Sequence, residues 1–177
     1  MTTDPFYKDL NPVSFLDRSV HVYPDKPALI YGDITYTYQD FYNRVNKLAG
    51  ALQKQGIKKG DRVGFLVPNI PAMFEGHYGP LKIGAVLVAI NTRLSAREVS
   101  YILNHSGAKV LVFDSEYAEL VSQIQNELPK ITSFVQVADI FPKSTLVEGP
   151  EYEEFHDVGF NSLACCGTFS PVSKSKK

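Results

Sequence analysis

Apolar and polar positions alternate between two periods along this chain. From Asn11 to Tyr23 the apolar residues Val13, Leu16, Val20 and Tyr23 recur at helical spacing, and Pro24 and Pro27 end the run. Ala28–Tyr31 and Ile34–Thr37 then flank Gly32-Asp33, which predicts a β-hairpin with a type I′ or II′ turn. Thr37 is placed to cap a helix, with Asp40 in its first turn. Phe41, Val45, Leu48 and Leu52 form one stripe of that helix, and Gly56 is its expected terminator.

Beyond Gly56 strands and helices alternate. Val63–Val67 reads as a strand stopped by Pro68. Asn69 is the expected cap of a helix with Pro71 in its first turn, running to about Ile83 and interrupted near Gly76, Gly79 and Pro80. Val86–Ile90 is the next strand, and Asn91–Leu94 a loop. Ser95-Ala96-Arg97-Glu98 has the capping-box pattern, opening a helix that Gly107 closes. Lys109–Phe113 is nearly all apolar, as a strand buried on both faces requires. Asp114 or Ser115 caps a helix carrying Tyr117, Leu120, Val121, Ile124 and Leu128, and Ser133–Val137 is another strand. This alternation predicts an α/β fold, a parallel β-sheet flanked by helices, with the hairpin as an edge or flanking element. After Phe141 the periodicity fades into the acidic, turn-rich stretch 149–154 and an irregular tail. The expected division is an α/β subdomain over residues 1–142 and a linker with a poorly ordered tail over 143–177.

Composition narrows the function classes. A hydrophobic fraction of 44% and a charged fraction of 21% suit a packed core. The net charge of −1 argues against a basic surface, hence against nucleic acid or an anionic membrane as a partner. The longest apolar run, Ile83–Ile90, is strand-sized, so no transmembrane segment is expected, and Met1–Leu10 lacks a signal-peptide pattern. The two cysteines, Cys165 and Cys166, are adjacent and form no disulfide framework, which fits a reducing, cytoplasmic compartment. The C-terminal Lys174-Ser175-Lys176-Lys177 matches the peroxisomal Ser-Lys-Leu signal only in part.

Candidate chemistry is sparse. Neither a G-x-G-x-x-G fingerprint nor a Walker loop is present, and Val67–Pro71 has no glycine to admit a pyrophosphate. His21, His77, His105 and His156 show no metal-site spacing. Ser100, Ser106 and Ser122 lack a nucleophile elbow, and Glu151, Glu153 and Glu154 read as a solvated charge run. No catalytic, cofactor-binding or metal-ligating residue is assigned.

The run Tyr36–Phe41, then Arg44–Leu52, then Gly56–Val63, resembles the opening of the adenylate-forming (AMP-binding) superfamily. Pro68-Asn69 and Gly84–Val86 fit the same pattern. Asn91–Glu98 followed by Tyr101–Lys109 is similar to its fatty-acyl-CoA synthetase branch. The resemblance implies a ligase that joins a fatty or other carboxylic acid to CoA through an acyl-adenylate, using ATP and magnesium. The family's phosphate loop, its magnesium-contacting Thr-Glu segment, its ribose-binding Asp and its mobile catalytic Lys have no counterpart in this sequence. It therefore implies a truncated acyl-CoA synthetase, inactive alone. The alternative is a non-catalytic interaction module that self-associates through an exposed apolar face, and a small nucleotide-binding module at the C-terminal edge of the sheet is a third reading.

Overall fold

The computed structural model describes residues 11–137 and a short strand at 154–155. The chain divides into two compact units, residues 1–43 and 44–177.

The first unit opens with helix α1 (Pro12–Val22), capped by Asn11, whose side chain accepts from the Ser14 amide at 2.9 Å. Leu16 is its buried residue. Strands β1 (Pro27–Tyr31) and β2 (Ile34–Thr37) pair antiparallel as a two-stranded sheet of their own, so the hairpin is not an edge of the larger sheet. Gly32 takes φ 56° and Asp33 has no positive φ, the sign pattern of a II′ turn. Helix α2 (Tyr38–Lys54) begins in this unit. Its first turn is held reciprocally: the Thr37 amide and hydroxyl donate to the Asp40 carboxylate at 3.0 and 2.7 Å, and the Asp40 amide donates to Thr37 Oγ1 at 3.1 Å.

The rest of α2 belongs to the second unit and buries Val45, Leu48, Ala49 and Leu52. Gly56 ends it at φ 83°, a left-handed conformation that lets the Ile57 amide reach back to the Leu52 carbonyl at 3.1 Å. Strands β3 (Arg62–Leu66), β4 (Val86–Ala89), β5 (Val110–Asp114), β6 (Ser133–Val137) and β7 (Glu154–Phe155) form one parallel sheet in the order β4-β3-β5-β6-β7. Between them lie α3 (Pro71–Gly76), α4 (Gly79–Lys82), α5 (Ala96–Ser106) and α6 (Ala118–Ile124).

Strand alternation puts the helices on both faces. Leu66, Leu111 and Phe113 pack with Val99 and Leu103 of α5 and Val121 and Ile124 of α6. On the opposite face the ring of Phe65 lies against Gly76, where a Cβ would stand 2.6 Å from it. Gly79 is likewise closed over by Leu48, at 2.6 Å. Every residue of β5 is buried, as its unbroken apolar run requires. Each fully buried Leu or Phe in such a core contributes about 1.5–3 kcal/mol.

The structure refines the sequence reading at several points. Ile70, not Asn69, precedes the first turn of α3, and no side chain caps it. The helix expected to reach Ile83 is two short helices, because Gly76 and Gly79 admit the close contacts with Phe65 and Leu48 and Pro80 starts a new turn. The helix after β5 is flanked by 3-10 turns at Ser115–Tyr117 and Gln125–Glu127. Within the stretch read as acidic and turn-rich, Glu154–Phe155 pairs with Gln136–Val137. Cys165, Cys166, His156 and the rest of the expected tail lie outside the described residues.

Candidate functional site

The strand order creates one position of functional interest. The chain leaves β3 for β4 on one side, and leaves β5 for β6 on the other. Ligands of open α/β sheets settle beyond the carboxyl ends of strands that diverge in this way. Here that position is bordered by Val67–Ile70 after β3 and by Asp114–Glu116 after β5. Asp114 is 1% exposed, and its Oδ1 accepts from the Glu116 amide at 2.9 Å. Beside it, after β4, Asn91 Oδ1 accepts from the Arg93 amide at 3.0 Å. Ser95 then starts α5 through a full capping box, its amide and hydroxyl donating to Glu98 at 2.9 and 2.7 Å. These side-chain oxygens are engaged by the backbone that turns the chain. The loop after β3 contains no glycine and opens a helix of six residues, which is poor geometry for cradling a phosphate.

The other end of the sheet is built differently. Backbone hydrogen bonds run across it in a row: Gly60 to Gly84, Val86 to Asp61, Lys109 to Arg62 and Thr132 to Lys109, all at 2.7–2.9 Å. The segments so aligned, residues 58–62, 82–86, 107–109 and 130–132, carry six cations and one carboxylate. Arg62 donates to the carbonyls of Ser106 at 2.7 Å, Gly107 at 3.0 Å and Gly60 at 3.1 Å, closing the C-terminus of α5. Lys109 Nζ lies 2.8 Å from Asp61, whose carboxylate also accepts from the Lys58 amide at 2.9 Å. The Lys109 bond and then that amide hold the Asp61 carboxyl below its usual range. Lys58, Lys59 and Lys130 are exposed. The near-zero net charge of the chain therefore conceals a basic rim, which corrects the expectation drawn from composition.

Elsewhere the candidate residues serve the scaffold. His77 places Nδ1 2.8 Å from the Met73 carbonyl, and His105 stacks on Tyr101 with ring centroids 5.6 Å apart. Ser100 is buried and donates to Glu127 at 2.9 Å, and Ser106 donates to the Leu103 carbonyl. His21 lies in the last turn of α1 and Ser122 in α6. Among the described residues no group of three His, Cys, Asp or Glu side chains is arranged to hold a metal. Also among them, no helix is long and apolar enough to cross a membrane. Sequence reasoning missed the ion pair of Arg44 with Glu75, in which Glu75 is 5% exposed. Its partners are 31 residues apart, and no local pattern marks either of them.

Comparison with known proteins agrees with this scaffold. Residues 16–165 match the profile of the AMP-binding enzyme family. A peroxisomal butyrate–CoA ligase of Arabidopsis thaliana is 39% identical over 124 residues, which is 70% of this chain and 22% of that protein. The 4-hydroxybutyrate–CoA ligase 2 of Metallosphaera sedula is 37% identical over 71% of this chain and 23% of its own length. Among solved structures, an anthranilate CoA ligase in complex with anthranoyl-AMP superimposes with a TM-score of 0.71 at 31% identity, over 81% of this chain and 27% of that one. The N-terminal domain of FACL13 from Mycobacterium tuberculosis gives 0.70 at 34% identity, over 72% and 34%. The chain thus spans less than a quarter of the length of these two curated relatives, and it covers the N-terminal part of the domain they share. Because the family profile takes in most of its residues, the chain belongs to the AMP-binding enzyme family.

Proposed function

We propose that this chain supplies the N-terminal scaffold of an acid–thiol ligase and performs no chemistry alone. The family reaction implied is carboxylate plus ATP giving an acyl-adenylate and pyrophosphate, then thioester formation with CoA. The observation that carries this reading is the match over residues 16–165, joined to a sheet whose carboxyl-end side chains are occupied with backbone turns. Stabilising the phosphorus transition state requires convergent donors, a metal and a lysine, and the described residues bring no such group together. In this reading residues 1–142 are the α/β subdomain and 143–177 a linker and tail, and the substrate class is a fatty or aryl carboxylic acid. The test is pyrophosphate release by the purified 177-residue chain with ATP, magnesium and butyrate or benzoate. None is expected, and acyl-AMP formation above background overturns the reading.

A second reading, a self-associating module, is favoured by exposed apolar side chains in the first unit. Phe15, Val22, Tyr23 and Ile30 are 53, 48, 49 and 68% exposed. Sedimentation equilibrium decides it: a monomer at tens of micromolar removes this alternative. Location remains cytoplasmic in this proposal although the butyrate–CoA ligase relative is peroxisomal. Coincidence of a tagged chain with a peroxisomal marker would reverse that assignment.

A further inference from the structure

We infer that the amino end of the parallel sheet is a docking surface for an anionic lipid bilayer. This goes beyond the ligase reading and is independent of it.

The sheet register assembles this surface from four separated segments. Lys58 and Lys59 precede β3, Lys82 precedes β4, Lys109 precedes β5 and Lys130 precedes β6. Because the strands are parallel, all these approaches lie on one rim, and the row of backbone hydrogen bonds from Gly84 through Gly60–Arg62 and Lys109 to Thr132 fixes their order. Within the rim Lys59 lays its aliphatic stem over Gly84, where a Cβ would meet Lys59 Cγ at 2.9 Å. Lys130 Nζ and Arg62 Nη2 both approach Gly107, at 3.7 and 2.7 Å from the same added atom.

Part of this charge has an internal use. Arg62 closes the carbonyls of α5, and Lys109 is bridged to Asp61. Glu127, the carboxylate nearest to the β6 approach in sequence, accepts from Ser100 on α5. Lys58, Lys59 and Lys130 remain exposed, and in these segments only Asp61 opposes them.

The chemistry of the rim favours lipid headgroups over nucleic acid. Its exposed cations are lysines, point charges suited to a diffuse anionic layer, whereas its one arginine is committed to the helix end. The four segments contain no aromatic residue on which a base could stack. Val86, paired in register with Arg62, is 48% exposed and offers an apolar contact among the cations.

The experiment is vesicle flotation of the 177-residue chain. One set of vesicles is pure phosphatidylcholine, and the other contains 30 mol% phosphatidylserine, a composition chosen as about that of an anionic leaflet. Binding is expected only to the anionic vesicles, with loss at 0.5 M salt, where screening lengths fall to a few ångströms, about 3–5 Å. Lys58→Gln, Lys59→Gln and Lys130→Gln together are expected to weaken it about a hundredfold, from about fivefold for each lysine. Lys26→Gln and Arg97→Gln, on other segments, are expected to leave it unchanged. Equal binding by the triple variant overturns the proposal, as does binding to both vesicle types. So does competition by an oligonucleotide at lower concentration than the lipid. If the triple variant loses its circular dichroism signal, the single variants at Lys59 and Lys130 carry the same test, because each side chain is exposed and replaced by a neutral one.

Discussion

Arg44 of α2 and Glu75 of α3 form an ion pair in which the carboxylate is almost wholly removed from water and the guanidinium largely so. The pair joins a helix before the sheet to the helix that follows its first strand. Two charges in such a place cost desolvation energy that their mutual attraction only just repays. Removing one leaves the other's charge in place without this counter-ion. Glu75→Ala and Arg44→Ala are each expected to destabilise the chain by about 3–5 kcal/mol in urea unfolding. The paired change Arg44→Met with Glu75→Leu is expected to recover most of the loss. Additive costs in the double variant would show that the two residues act separately.

Gly76 lets α3 lie directly on the Phe65 ring, since an added Cβ would fall 2.6 Å from it. Gly76→Ala forces the ring or the helix to shift, at about 1–3 kcal/mol. Truncating the ring in the same chain makes room, so Phe65→Leu with Gly76→Ala is expected to cost less than the two changes summed. Thermal unfolding of the four chains measures this coupling.

The Arg62 fork satisfies the last carbonyls of α5, where a point charge cannot reach both. Arg62→Lys is therefore expected to behave nearly as badly as Arg62→Ala. Hydrogen exchange at Ser106–Lys109 is the readout, and full protection in the lysine variant would refute the geometric argument.

Acid weakens the caps in a defined direction. Hydrogen bonds from the Thr37 side chain and then its amide lower the Asp40 carboxyl from its ordinary 3.8. Bonds from the Ser95 side chain and then its amide lower Glu98 from 4.5. A carboxylate with a depressed folded pKa stabilises the fold fully above its unfolded value and loses that contribution as pH falls through the folded one. Stability is thus expected to be flat above about pH 5.5 and to fall below pH 4.5 for Glu98 and 3.8 for Asp40. Glu98→Gln with Asp40→Asn is expected to flatten that fall, and an unchanged pH profile would assign acid sensitivity to other groups.

Local chemistry made most of the fold legible. The Ser95–Glu98 box, the Gly56 and Gly107 terminators and the all-apolar Val110–Phe113 run each state their structure within a few residues. The break between α3 and α4 was legible as an interruption, but its cause is tertiary: Phe65 and Leu48 fill the space that a side chain at Gly76 or Gly79 would need. Ile70 replaces Asn69 before α3 because Pro71 sets where the first turn begins. At the candidate site the absence of glycine from the loop after β3 is written in the sequence itself. The sequence carried no sign of the Arg44–Glu75 pair or the basic rim, since both are made by residues far apart in the chain, the pair by the packing of α2 and α3 and the rim by the sheet register.

The order β4-β3-β5-β6 also bears on how the chain acquires its structure during synthesis. β3 and β4 are consecutive strands joined by a crossover that carries α3 and α4, and they can pair once residue 89 has emerged. β4 then closes one side, and every later strand adds on the other: β5 beside β3, β6 beside β5. No strand has to be inserted between two that are already paired. The order thus permits vectorial assembly, running in the same direction as translation, with each of these strands adding to an edge that earlier chain has already formed.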